Sequence, residues 1–132
     1  MRMAVESEGL ALDRATLAAG VRAVLGGKAP AEYWIAETED GPVGMLMTVP
    51  EWSDWRNGTV LWAHSVYVRP EARRQGVFSA LYDHFRRQVE RDPELIGIRL
   101  YVDRSNAPAQ RVYESLGMTR EHYYLYEWLK GD

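Results

Sequence analysis

The segment from Thr59 to Val89 limits the fold more than any other part of the chain. Thr59–Val68, "TVLWAHSVYV", is dense in β-branched and aromatic residues, which favour pleated, half-buried backbone. It ends at Arg69-Pro70. The stretch "EARRQG" follows, and then Val77 or Phe78, Leu81, His84 or Phe85, and Val89 recur at three- and four-residue spacing, the period of one helical face. A strand, an arginine-glycine loop and a helix therefore follow in order.

The rest of the chain fills out one α+β unit. With 132 residues, 46% of them apolar, the chain fits a single domain (1–132) with its own core. Leu12–Leu25 carries Leu17, Val21, Val24 and Leu25 on one helical face, Asp13 can cap its start and Gly26-Gly27 stops it. Tyr33–Thr38 and Val43–Val49 read as strands joined by the turn Glu39-Asp40-Gly41-Pro42. Leu95–Val102 reads as another strand, and His122–Trp128, "HYYLYEW", alternates like a last one. No repeat or linker interrupts the series.

Composition excludes several functions. The net charge is −3 and the sixteen Lys plus Arg form no basic tail, which disfavours a nonspecific grip on nucleic acid. There is no cysteine, so disulfides, thiol nucleophiles and Cys-based metal sites are excluded, in agreement with a reducing cytoplasm. His84 and His122 lack ligand-spaced companions, and no metal is expected. No run approaches the ~18 apolar residues of a membrane span. The expectation is a soluble, cytoplasmic chain with no membrane and no nucleic-acid partner.

The loop before the helix has its own chemistry. A helix start leaves backbone N–H groups without internal partners at the positive end of the helix dipole, where anions are favoured. Gly76 lets backbone come close to an anion, and Arg73 and Arg74 add forked donors suited to phosphate oxygens. The Gly-Lys-Ser/Thr ending of the ATP-binding loop is missing, as are two of the three glycines of the dinucleotide fingerprint. On its own this segment reads either as a diphosphate cradle or as a solvated surface turn.

A second motif lies downstream. In "DRSNAPAQRVYESLGM", Asn106 is placed to cap a helix, Pro108 falls in its first turn and Gly117 ends it. Ala109, Val112, Tyr113 and Leu116 form the apolar face, which turns the Tyr113 phenol inward. Taken together, "SVYVRPEARRQGVFSAL" and "NAPAQRVYESLGM" resemble the GNAT superfamily of acetyl-CoA-dependent N-acetyltransferases, over about three quarters of the chain from Tyr33 onward. The family's loop pattern, Arg or Gln, two residues, Gly, one residue, then Gly or Ala, meets Arg73, Arg74, Gln75, Gly76, Val77 and Phe78. Phe78 departs at the last position. The second pattern meets Asn106, Ala109, Tyr113, Gly117 and Met118.

The resemblance implies a mixed, mostly antiparallel sheet of about five to six strands flanked by helices. It implies that the family's first strand and one helix are missing, leaving Met3–Val5 for a vestigial strand, or that the natural chain begins upstream of Met1. It implies acetyl-CoA as co-substrate, its pyrophosphate on Arg73, Arg74, Gln75, Gly76, Val77 and Phe78, its pantetheine beside Val66, Tyr67 and Val68, and Asn106 in the binding set. It further implies Tyr113 as the acid that protonates the departing thiolate. An amine acceptor near pKa ~10.4 must lose a proton before attack. His64, two residues before Val66 and so expected on the same strand face, and Glu51 are candidates to receive it, with Asp54 behind them; each has an ordinary structural alternative. Trp52 and Trp55, beside these acids in "PEWSDWRNG", either favour a cation or simply cover the sheet in a hairpin connection.

Three functions fit. The first is acetyl transfer from acetyl-CoA to a primary amine of a small molecule, peptide or protein. The second is a non-catalytic acyl-CoA-binding module, and the third a protein-interaction domain built on the Trp and Tyr surface. The strand Tyr33–Thr38, left as an edge, points to a homodimer.

Overall fold

The computed structural model describes residues 13–131; Met3–Val5 and Leu12 lie outside the described residues. The chain divides into two compact units, one through Tyr101 and the other from Val102.

In the first unit, α1 (Arg14–Leu25) starts where the sequence predicts. The Asp13 carboxylate accepts from the Thr16 backbone N–H at 2.8 Å, and Gly27 closes the helix in the left-handed region at φ 76°. Leu17, Val21 and Val24 are half-buried, whereas Leu25 faces solvent. The four strands of the sheet are β1 (Glu32–Thr38), β2 (Gly41–Ser53), β3 (Gly58–Val68) and β4 (Leu95–Leu100), lying side by side in chain order. β1, β2 and β3 are antiparallel neighbours, and β3 and β4 are parallel, joined by the crossover through α2 (Val77–Arg91).

α2 lays its apolar stripe on one sheet face. Leu46 of β2, Leu81 and Phe85 form the buried core, with Trp34, Val66, Val77 and Ile98 packed against it. Of the alternatives on the helical stripe, Phe85 is buried and His84 is exposed, its ring 5.5 Å from that of Trp34. The Trp34 indole N–H donates to the buried Thr48 hydroxyl at 3.1 Å, which satisfies both polar groups beside that core.

The second unit holds α3 (Ala107–Ser115), capped by Asn106, whose side-chain oxygen accepts from the Ala109 N–H at 3.2 Å. Gly117 ends it at φ 89°, and the Met118 N–H returns to the Tyr113 carbonyl at 3.1 Å. Ala109, Tyr113 and Leu116 are half-buried, while Val112, expected on the same face, is exposed.

Two expectations about the sheet are corrected. Among the described residues it has four strands rather than five to six, and His122–Trp128 forms no strand despite its alternation. Alternation prepares a segment to pair, but a strand exists only when a neighbour supplies hydrogen bonds. The hairpin loops are also tighter than the sequence suggests. β2 begins at Gly41 and runs through Pro50, Glu51 and Trp52, leaving a connection of 54–57 closed by Asn57 at φ 50°.

Candidate active site

Three local devices converge at the C-terminal end of β3. The first is a bulge. Met45 of β2 faces Tyr67 and Met47 faces His64, so Ser65 and Val66 together oppose Leu46 alone. Ser65 takes up the extra residue with φ 53°, a left-handed conformation that non-glycine residues seldom adopt. The bulge overturns the expectation that His64 and Val66 share a face. Val66 packs on the α2 side with Leu46 and Phe85, whereas His64 lies on the opposite side with its ring stacked 6.0 Å from that of Trp62.

The second device is a parting of strands. The parallel ladder between β3 and β4 ends at the pair Ala63 and Leu100, while β3 continues to Val68 along β2. Beyond Ala63 no strand among the described residues pairs with β3 on the β4 side. Val66, Tyr67 and Val68 therefore sit where an extended ligand can add to the backbone of the sheet.

The third is the loop from Arg69 to Gly76. A single 3-10 turn, Pro70–Ala72, buries Ala72 and brings Arg73 back against β3. Arg73 Nε donates to the Val68 carbonyl at 2.9 Å, and its guanidinium lies 5.6 Å from the centre of the Tyr67 ring. Gln75 Nε2 donates to the Glu71 carbonyl at 3.1 Å. Arg74 stands at φ 64° and Gly76 at φ 77°, two left-handed residues that turn the chain sharply into α2.

The helix start is uncapped by any side chain, because its N-cap is Gly76. Its first internal bond runs from the Ala80 N–H to the Gly76 carbonyl at 2.9 Å, which places Val77 and Phe78 in the first turn of the helix. The helix is seated by Gly44: a methyl group there would lie 2.7 Å from Val77 Cγ1. Phe78, where the family pattern has Gly or Ala, turns its ring inward to line a small apolar cavity with Leu61, Ala63 and Tyr82. Its bulk is thus accommodated under the helix, and its amide stays at the helix start.

The remaining candidates fall into separate settings. Glu51 Oε1 lies 3.0 Å from Arg99 Nη1, so its carboxylate is committed to an ion pair. Burial lowers the pKa of His64, which favours the neutral ring. Asp54 accepts from the Trp55 N–H at 3.0 Å, and Trp52 and Trp55 are both largely exposed. In the second unit, burial raises the pKa of Tyr113 and keeps the phenol protonated. The Asn106 side-chain oxygen is occupied by its cap.

Sequence reasoning missed Ser65, Tyr101 and Arg99. Tyr101 and Trp62 lie 4.6 Å apart by ring centres, and Arg99 lies 6.0 Å from the centre of the Trp62 ring. Only the parallel register of β3 and β4 unites them, and nothing in their sequence spacing signals it. Among the described residues, no group of three His, Cys, Asp or Glu side chains could hold a metal ion, and no helix is long and apolar enough to cross a membrane.

Comparisons with known proteins agree on the family. The sequence profile of the Acetyltransferase (GNAT) family matches residues 8–118. The crystal structure of a possible acetyltransferase from Clostridium difficile 630 is 40% identical, with a TM-score of 0.87 over 97% of this chain and 84% of that one. A probable acetyltransferase, 23% identical, superposes with a TM-score of 0.80 over 94% of this chain and 83% of that one. AAC(6')-Iy, in complex with the bisubstrate analog CoA-S-monomethyl-acetylneamine, is 16% identical and shares the fold with a TM-score of 0.70, over 96% of this chain and 86% of that one. No protein of curated function matches this sequence. A profile spanning most of the residues, joined to a structure that is 40% identical over nearly the whole chain, establishes that this chain belongs to the GNAT acetyltransferase family.

Proposed function

We propose that the protein transfers an acetyl group from acetyl-CoA to a primary amine. The observation that carries this reading is the parting of β3 from β4 after Ala63, beside a bulge at Ser65–Val66 and directly ahead of an uncapped helix start. A strand edge and an anion-favouring helix terminus then lie in series along one chain segment. These two features suit the two chemically distinct parts of coenzyme A, an amide-bearing arm and a diphosphate. The bisubstrate analog bound by AAC(6')-Iy, which has this fold, belongs to the same chemistry.

In this reading the amides of Gly76, Val77 and Phe78, with the charge of Arg73 and Arg74, hold the diphosphate, and Gln75 braces the loop. Val66, Tyr67 and Val68 offer backbone groups to the arm, and Asn106 fixes the start of α3. The thioester supplies an activated acetyl group. A backbone amide of the Val66–Val68 stretch, beyond the end of the β4 ladder, donates to the carbonyl oxygen as negative charge gathers there. The amine nitrogen bonds to the acetyl carbon and the carbon–sulfur bond breaks. His64, neutral at pH 7, takes the amine's proton directly or through water, and Tyr113 gives its hydroxyl proton to the departing sulfur. Glu51, already paired with Arg99, ranks behind His64.

The test is calorimetric titration of acetyl-CoA into wild type and into the double variant Arg73→Ala plus Arg74→Ala at two salt concentrations. Micromolar binding that weakens in the variant and at higher salt supports the cradle. Absence of binding to the wild type would refute the reading.

We also propose a cytoplasmic homodimer. β1 is an edge strand of the described sheet, and Tyr124, Tyr126 and Trp128 present an almost fully exposed aromatic run that a second copy would cover.

A further inference from the structure

An acceptor subsite follows from the geometry of β3, and it rests on the acetyl-transfer reading. An amine attacks a carbonyl carbon from above or below the carbonyl plane, and a carbonyl bonded to a strand amide lies close to the plane of the sheet. The acceptor must therefore come from one of the two sheet faces. On one of them α2 stands over the strands, with Leu81 and Phe85 against Leu46 and Val66. Phe78 and Tyr82 close the space above Ala63 on that side.

The opposite face carries a different surface. Trp62, His64 and Tyr101 form a row of rings there: Trp62 and His64 are nearly parallel at 10° with centres 6.0 Å apart, and Tyr101 lies 4.6 Å from Trp62 and 5.6 Å from His64. Tyr101 is 53% exposed although it is large and partly apolar, so the row is open to solvent. It also ends beside the bulge, because His64 immediately precedes Ser65. At its other end the Arg99 guanidinium lies 6.0 Å from the Trp62 ring centre and pairs with Glu51 at 3.0 Å, which leaves no net charge there to select a polycation.

We propose that Trp62, His64 and Tyr101, the last tilted by 39° and 49° to the other two rings, are the acceptor subsite, and that they hold the body of the acceptor in stacked and edge-on contact, so that the enzyme acetylates primary amines carried on aromatic scaffolds. Stacked and edge-on rings gain attraction beyond the burial of their area, and a saturated ring of equal size forfeits that part. The discrimination therefore depends on the planarity of the acceptor and only secondarily on its hydrophobicity.

The test separates this inference from the reading beneath it. Acetyl-CoA binding to the full wild-type chain is measured first by calorimetry; no binding would remove the acetyl-transfer reading and the subsite with it. With binding established, initial rates are compared for phenethylamine, cyclohexylethylamine and spermidine. The expected result is a kcat/KM for phenethylamine about tenfold above that of cyclohexylethylamine, and higher still relative to spermidine. Tyr101→Ala should raise the KM for phenethylamine about tenfold, with the acetyl-CoA Kd and the far-UV circular dichroism unchanged, while Tyr101→Phe keeps the ring and the KM. Equal kcat/KM for the two ring amines, an unmoved KM in Tyr101→Ala, or no turnover of phenethylamine by chain that binds acetyl-CoA would each overturn the subsite.

Discussion

Arg73 donates through Nε to the Val68 carbonyl at 2.9 Å, which ties the loop before α2 to the last residue of β3. The side chain therefore has a structural duty beside the charge it lends to the loop. Arg73→Lys keeps the charge but not the planar donor, so it should weaken acetyl-CoA binding despite being charge-conserving. Arg73→Ala should bind more weakly still and lose about 1 kcal/mol or less of stability, since the bond is exposed. Paired calorimetric titrations and urea unfolding curves measure the two effects.

Arg74 gives the opposite sign in the two assays. At φ 64° it holds a conformation that costs a non-glycine residue about 1 kcal/mol. Arg74→Gly should therefore leave stability unchanged or raise it by up to about 1 kcal/mol, while acetyl-CoA affinity falls through loss of charge. A variant that lost stability and kept affinity would contradict the role given to this residue.

Gly44 and Val77 are a matched pair. A methyl group at position 44 would sit 2.7 Å from Val77 Cγ1 and 3.3 Å from the Tyr67 carbonyl oxygen. Gly44→Ala should destabilise the chain by about 1–3 kcal/mol and weaken acetyl-CoA binding, because the helix start must shift. Adding Val77→Ala should recover part of both losses, and a double-mutant cycle in urea reads the coupling.

In the proposed mechanism Tyr113 and His64 carry the pH dependence. Burial raises the Tyr113 pKa, so the phenol stays a proton donor past its ordinary ~10 and the alkaline limb of the rate belongs above that value. Tyr113→Phe should lower kcat about a hundredfold with little change in acetyl-CoA Kd. For His64 the folded-state pKa lies below the ordinary ~6.5, so just below that pH the unfolded chain binds more protons than the folded one. Stability should fall as pH drops below ~6.5 and be complete above it, and His64→Gln should flatten that slope. Thermal unfolding between pH 5 and 8 checks the sign.

Assembly has a direct readout. Sedimentation at micromolar concentration should give a dimer, and replacing Tyr124, Tyr126 and Trp128 by serine should give a folded monomer. A wild-type monomer at that concentration would dismiss the dimer.

Much of the fold was legible because its elements carry local signals. Asp13, Gly27, Asn106 and Gly117 end helices through bonds to residues within one turn, so their roles can be read from a few neighbouring letters. The stripe of α2 announced its buried face in the same way. His122–Trp128 misled because its alternation is a property of the segment, whereas pairing needs a second segment that the sequence does not name. The hairpin ends shifted for a related reason: β2 extends through Pro50 to Ser53 because β3 is there to pair with it.

The sequence by itself determined the order strand, loop and helix, the capped α3 with Tyr113, and the family. Only the tertiary structure decided which residues face one another. The bulge at Ser65 and Val66 turned Val66 toward α2 and left His64 on the other face, and the parallel register of β3 and β4 drew Arg99 and Tyr101 to Trp62. One residue inserted in a pairing ladder reverses every side chain after it, and whether that insertion is accepted depends on packing between segments distant in the chain.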